Sequence, residues 1–388
     1  MSRKQLSALF ACAMVPATVG IAVIALLPVY AVKLGASEIE TGFFISLAFG
    51  TLAVGTLISG WLSDRFQRRK LTLVLVAALG LPTTFLMGQV GQIALLAILT
   101  MVLWFVAGVS VTTVNILAGI YADPEERGRT FGILGATVGL GQILGGFTSG
   151  AIVDLWGFGA LFALVSLVWI IQMIAALFIS DPVKTQPQQE HAESKRGPLP
   201  QVIWLLIAAH ILAAVADSSA GLGRPLRMDG LGFDATSISS ALAMSGFVAL
   251  PLPVLAGWLS DRLGRTRLLI GCYLAVSVGA FALALATDLW HFWLSTVLTT
   301  TVMAGLSVGL ALVNDLASAE TLATAVSRFS ATPWIAGVIG FGASGLVIST
   351  LGLQTTFLTL ALFPVTSVVL IFAVERYFRP LLSSPASR

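Results

Sequence analysis

The chain has 388 residues, 57% hydrophobic and only 10% charged, with 21 Lys and Arg against 18 Asp and Glu. A water-soluble domain of this size needs far more charge to cover its surface, which excludes an ordinary soluble enzyme or binding module. The small basic excess does not point to nucleic acid: the cations sit in short segments between apolar runs, where they read as topology signals.

Apolar runs near the length needed to cross about 30 Å of hydrocarbon recur from end to end. The first follows Arg3 and Lys4 and continues from about Leu6 to Val32. That is too long for the core of a signal peptide, so it reads as an uncleaved first helix. The predicted spans are 6–32, 38–62, 70–90, 92–119, 129–154, 158–180, 201–223, 235–258, 267–287, 290–314, 324–350 and 353–375. Most connections are tight turns rich in Gly, Pro or Asp. The polar, Pro-bearing stretch 181–200 (DPVKTQPQQEHAESKRGPLP) reads instead as a flexible cytoplasmic linker. The expected fold is an all-α membrane protein with twelve transmembrane helices in two six-helix bundles, 1–180 and 201–388.

Orientation follows from the cations. With the N-terminus cytoplasmic, that side collects about 18 Lys and Arg and the opposite side keeps Lys33, Arg224 and Arg227. The positive-inside rule then places both termini and the linker in the cytoplasm, and the compact loops suit a bacterial inner membrane. Cys12 and Cys272 lie inside apolar runs and form neither a disulfide framework nor a metal cluster.

The strongest single feature is a duplicated segment. Gly60-Trp61-Leu62-Ser63-Asp64-Arg65-Phe66-Gln67-Arg68-Arg69-Lys70 follows the second span. Gly257-Trp258-Leu259-Ser260-Asp261-Arg262-Leu263-Gly264-Arg265-Thr266-Arg267 follows the eighth, and eight of eleven positions agree in residue or basic character. Internal duplication recurs in secondary transporters. The segment resembles the loop signature of the major facilitator superfamily, G-x-L-a-D-r-x-G-r-[kr], with Gln67 replacing the glycine that Gly264 retains. The resemblance implies two pseudo-symmetric six-helix bundles around a central cavity that opens alternately to each side.

In that family setting, Asp64, Arg65, Arg68, Asp261, Arg262 and Arg265, with the flanking Gly60 and Gly257, are expected to form a cytoplasmic gate. A carboxylate after a helix C-terminus, followed by cations, can accept from a neighbouring helix N-terminus or pair with arginine. Asp123-Pro124-Glu125-Glu126-Arg127-Gly128-Arg129 looks like the acidic and basic partner, through Glu125 and Arg127. Asp315, Glu320 and Arg328 are a weaker counterpart in the second half. The competing account is that these charges set topology and sit solvated at the membrane surface.

Ionisable groups at membrane depth are costly and usually functional. The first six spans carry only neutral polar residues in their interiors, including Asn115, Gln142 and Gln172, with Tyr30 near the end of the first; Tyr30, Asn115 and Gln142 are candidates to line a substrate cavity. In the seventh span, His210 falls about 14 Å and Asp217 about 24 Å along the helix from Gln201. His210, Asp217 and Arg224 recur every seven residues, so each is displaced only about 20° from the last. A carboxylate held away from bulk water can load and release a proton during a transport cycle. Asp217 is therefore the expected coupling residue, with His210 as relay or hydrogen-bond donor. Alternatively, Asp217 pairs with Arg224 or Arg227. Those two arginines either anchor the interface by snorkelling or attract an anionic solute. Trp334, after Pro333, is expected at a kink, lining the cavity or facing lipid.

The fifth span reads Gly132-x8-Gly141-Gln142-x2-Gly145-Gly146-x3-Gly150. Such small residues let helices pack closely. The run also resembles the antiporter signature of drug exporters, G-x8-G-P-x-x-G-G, with Gln142 in place of proline. Two further departures are the lack of an acidic residue in the first span and of an arginine within the fourth. No G-x4-G-K-[ST] motif is present, which argues against an ATP-driven pump. No nucleophile–base or metal constellation appears, so neither enzymatic activity nor a cofactor is expected. Together these features predict a monomeric secondary transporter, exporting small apolar or weakly cationic compounds in exchange for protons. An uptake permease for a sugar-like or anionic metabolite is the first alternative, and a lipid flippase or non-transporting receptor the second.

Overall fold

The computed structural model describes residues 1–66, 68–123, 126–180, 199–318 and 321–377, and among these every regular element is helical. In chain order the helices are α1 (Arg3–Ile24), α2 (Leu27–Lys33), α3 (Glu38–Phe66), α4 (Arg69–Met87), α5 (Ile93–Tyr121), α6 (Arg127–Leu177) and α7 (Gln201–Gly230). They continue with α8 (Ala235–Ala249), α9 (Leu252–Leu263), α10 (Arg265–Leu285), α11 (Leu289–Leu316), α12 (Leu322–Ser330), α13 (Thr332–Leu360) and α14 (Leu362–Tyr377).

These elements account for the twelve predicted spans. The fifth and sixth run together as α6, separated by Gly157 at φ 81°, and the eleventh and twelfth meet inside α13 at Gly352, φ 76°. Only glycine adopts that backbone region without steric cost, so equivalent turns in the two halves each use one.

Three spans expected to be continuous are interrupted instead, and the eleventh is interrupted beside Pro333, where a kink is expected. The first divides between Ile24 and Leu27, the eighth bends by 46° between α8 and α9, the eleventh breaks at Ala331, and the twelfth breaks at Ala361. Proline stands in the first turn after each break, at Pro28, Pro253, Pro333 and Pro364. A proline lacks the N–H that would continue the preceding helix but suits the start of a new one.

The helices carry large apolar side chains on their surfaces, among them Leu57 at 75%, Val254 at 76% and Leu155 at 70% exposure. In water such a surface would be untenable; facing lipid it is what the solvent requires.

The chain packs as two compact units. One takes the described residues of Met1–Val183 with Gly221–Leu250 and Phe341–Thr350, the other those of Lys184–Ala220, Pro251–Gly340 and Leu351–Arg388. In the first, Leu9, Cys12, Leu73, Leu117 and Ala176 belong to a buried apolar cluster. Close helix approach comes from glycines: a Cβ on Gly55 would fall 2.4 Å from the Phe105 carbonyl oxygen, and one on Gly108 2.3 Å from that of Leu52. Interhelical hydrogen bonds supplement this packing. Gln172 donates to the Leu73 carbonyl and accepts from Ser110, both at 3.2 Å, and the Trp169 indole donates to Thr84 at 3.0 Å. In the second unit, Leu269, Tyr273, Val276, Val302 and Phe329 belong to the cluster around α7.

Candidate functional site

In the second copy of the duplicated segment, α9 ends at Leu263 and α10 begins at Arg265, with Gly264 between them at φ 91°. The Arg262 guanidinium lies over the Trp258 ring, 3.9 Å from its centroid. Arg265 donates to the Ala311 carbonyl at 2.7 Å and pairs with Asp315. This cation therefore answers the C-terminal end of α11, where positive charge is favoured. Asp261 is exposed. In the first copy, Arg69 donates to the Ser63 hydroxyl and Lys70 to the Leu177 carbonyl, both at 2.6 Å, while Arg65 and Arg68 are exposed. Gly60 and Gly257 both face open space where a Cβ would stand. The Asp64 and Arg127 side chains, with Gln67, Glu125 and Glu320, lie outside the described residues, so the clasp expected of them rests on sequence alone.

On α7, His210 is 1% exposed, and its Nδ1 lies 3.2 Å from the Tyr273 hydroxyl. Its ring also packs 5.3 Å from that of Phe329. Asp217, two turns on, is half-buried, and Arg224 is buried. The expected stripe is thus closed at both ends, at His210 and at Arg224, and more open at the carboxylate between them. Tyr273 is an addition that periodicity along α7 alone does not reveal.

Other pathway candidates fall in different settings. The Tyr30 hydroxyl donates to the Met87 carbonyl at 3.1 Å, and its ring stacks on Phe158 at 4.7 Å; this answers an otherwise open carbonyl at the end of α4. Asn115 is exposed on α5, and Trp334 is partly exposed beside Pro333 in the first turn of α13.

The N-terminal half of α6 is wedged between α1 and α8. A Cβ on Gly141 or Gly145 would strike α1 backbone at Ala17 to Ala22, and one on Gly146 or Gly150 would strike α8 backbone at Ala243 or Ala235. With 3.6 residues per turn, these two contact faces lie roughly 140° apart around the helix. Gln142 and Ser149 occupy the arc between them. They are buried at 9% and 0% exposure, and neither Gln142 Oε1 nor Ser149 Oγ has a hydrogen-bond partner among the described residues. Towards the start of the helix the same arc becomes open: Phe131 and Val138 are about 40% exposed, and a Cβ on Gly135 would meet nothing within 4 Å.

At the opposite end of this span, Asp154 reaches across to α8. Its carboxylate accepts from the Ala235 amide at 3.0 Å, the Thr236 amide at 2.8 Å and the Thr236 hydroxyl at 2.6 Å. Asp234 accepts from the Ser237 amide at 2.7 Å, so the first turn of α8 is capped from two directions. Beside this contact lies a cavity of about 360 Å³ whose walls include Lys33, Asp154, Phe158, Asp229 and Asp234. The role of Asp154 was not visible in the sequence; its only local hint is a carboxylate placed just before the Gly157 turn.

An all-helical, multi-pass membrane protein with two like-patterned halves and polar groups buried along its spans has the architecture of a membrane carrier. The chain belongs to the Major Facilitator Superfamily, whose sequence pattern matches it over residues 8–226 and again over 206–388. It is 28% identical over 256 residues to the class E tetracycline resistance protein of Escherichia coli, covering 61% of this chain and 60% of that protein. It is 23% identical over 252 residues to the cis,cis-muconate transport protein of Acinetobacter baylyi, covering 59% of each. In these matches the chain thus spans about three-fifths of its relatives' length. A bacterial homologue of the human lysosomal transporter Spinster has the same fold, with a TM-score of 0.80 at 16% identity over 100% of both chains.

Proposed function

We propose that this protein is a secondary active transporter that works by alternating access and exports small apolar or weakly cationic compounds in exchange for protons. The observation that carries this reading is the half-buried Asp217 on α7, one heptad from the enclosed His210. A single carboxylate there can hold a proton in one stage of the cycle and a cationic solute in another, which is the minimum needed for exchange. His210, two turns earlier on α7, forms a hydrogen-bonded pair with Tyr273. The paired loops at Asp64 and Asp261 act as the gate at one face. The positive-inside count makes that face cytoplasmic, together with both termini. The tetracycline resistance relative is consistent with a solute removed from the cell.

Proteoliposomes carrying an imposed pH gradient test the coupling. Wild-type protein is expected to accumulate a fluorescent organic cation only when the gradient is present. Asp217→Asn should reduce that accumulation to the level seen without a gradient while leaving protein yield unchanged. Gradient-driven transport that survives in Asp217→Asn removes Asp217 from the coupling role.

Burial of Arg224 on the same helix favours a second reading, uptake of an anionic metabolite, and the muconate transport relative agrees with it. The same liposomes distinguish the two. Competition by carboxylates with no effect of organic cations would select the anion permease.

A further inference from the structure

We propose that Gln142 contacts the transported solute and accepts a hydrogen bond from it, so that the protein selects compounds bearing an N–H or O–H donor on an otherwise apolar frame. The inference rests on the transporter reading and specifies the substrate class.

Three observations lead to it. Oε1 of Gln142 has no hydrogen-bond partner among the described residues, although the residue is only 9% exposed. Buried polar atoms are nearly always satisfied in native proteins, and exceptions call for a functional account. Secondly, the root of the side chain is confined. A Cβ added to Gly246 would fall 2.9 Å from the Gln142 Cβ and 2.6 Å from the Gly139 carbonyl oxygen, so the α8 backbone lies directly against this turn of α6. Thirdly, Gln142 stands where the arc of α6 between its two helix contacts passes from open to closed. Phe131, Gly135 and Val138 are accessible on one side, and Ser149, fully buried with its own unanswered hydroxyl, lies on the other.

An unanswered acceptor at the boundary of an open face suits a ligand that brings the missing donor. It selects against a fully ionised dicarboxylate, which brings acceptors only. The glutamine also replaces the proline of the antiporter pattern, restoring a backbone N–H to the helix and adding the amide that makes this contact possible.

Two lipophilic cations separate the possibilities in proteoliposomes: ethidium, which carries aromatic amine donors, and tetraphenylphosphonium, which carries none. Wild-type protein is expected to move ethidium faster. Gln142→Leu should lower the ethidium-to-tetraphenylphosphonium rate ratio by roughly tenfold, the scale of one hydrogen bond to a buried acceptor. Gln142→Glu, which keeps an acceptor, should restore much of the ratio. Without solute, Gln142→Leu should unfold at or above the wild-type temperature, because it removes an unanswered polar atom. An unchanged ratio in Gln142→Leu, or a lower unfolding temperature with both rates falling together, overturns the proposal. Should wild-type protein transport neither cation, the export reading fails by itself. Gln142 is then judged on the solute-free comparison, where a destabilised Gln142→Leu makes the residue structural.

Discussion

Two glutamines on α6, both buried within the bilayer-spanning part of the chain, behave in opposite ways. Gln172 is engaged at both ends of its amide: it donates to the Leu73 carbonyl of α4 and accepts from Ser110 of α5, while its backbone carbonyl accepts from the Cys12 thiol at 3.9 Å. Gln142 has a carbonyl oxygen that nothing among the described residues answers. The same side chain is a cross-link in one place and an open acceptor in the other. Burial alone therefore does not tell a structural polar residue from a functional one; the state of its hydrogen bonds does.

The comparison can be broken most forcefully at the wall that holds Gln142. A Cβ on Gly146 would fall 2.6 Å from the Ala243 amide nitrogen, against backbone that cannot step aside. Gly146→Val is expected to cost about 3 kcal/mol through overpacking and to abolish transport, as measured by thermal unfolding in detergent and by liposome flux. A fully active, stable Gly146→Val protein would mean that the crossing does not fix the glutamine. Next in size is Gln172→Leu, which strands a buried hydroxyl. About 1–2 kcal/mol of stability should be lost, the upper range for interhelical bonds in membranes, while transport per folded molecule is retained. If Gln172→Leu instead alters solute preference, the division of roles between the two glutamines is wrong.

The smallest effect concerns the first turn of α8, at the far end of the α6–α8 contact from Gln142. The Ser237 hydroxyl and amide hold the Asp234 carboxyl below its ordinary value of 3.8. A group whose pKa is depressed by folding stabilises the folded state above its unfolded value, and loses that contribution as pH falls through the folded one. Asp234→Ala should thus cost about 0.5 kcal/mol at neutral pH. The deficit relative to wild type should close only at pH below 3.8. A deficit that persists unchanged in strong acid would assign it to packing.

Much of this was legible in the sequence, for reasons that differ between residues. The spans announce themselves because a bilayer demands long apolar segments, and the duplicated loops reveal the family because charge and glycine recur at matching places. The α7 stripe stands out because ionisable residues are rare at that depth. Gln142 stands out twice, as a polar residue inside an apolar span and as a departure from a proline. The kink at Pro333 was expected, but the breaks at Pro28, Pro253 and Pro364 escaped the sequence reading because proline near a span end is compatible with an unbroken, kinked helix or with a fresh start. Tyr273 and Asp154 were missed for a deeper reason. Each acts on a partner far along the chain, His210 and the start of α8 respectively, and no local pattern encodes such a meeting.

The reach of Asp154 also bears on how the protein comes into being. Two of the amides that open α8 are answered by a carboxylate made some eighty residues earlier in synthesis. The N-terminus of α8 therefore matures only once the stretch of α6 around Asp154 is in place. A second half produced by itself would emerge with those two amides bare.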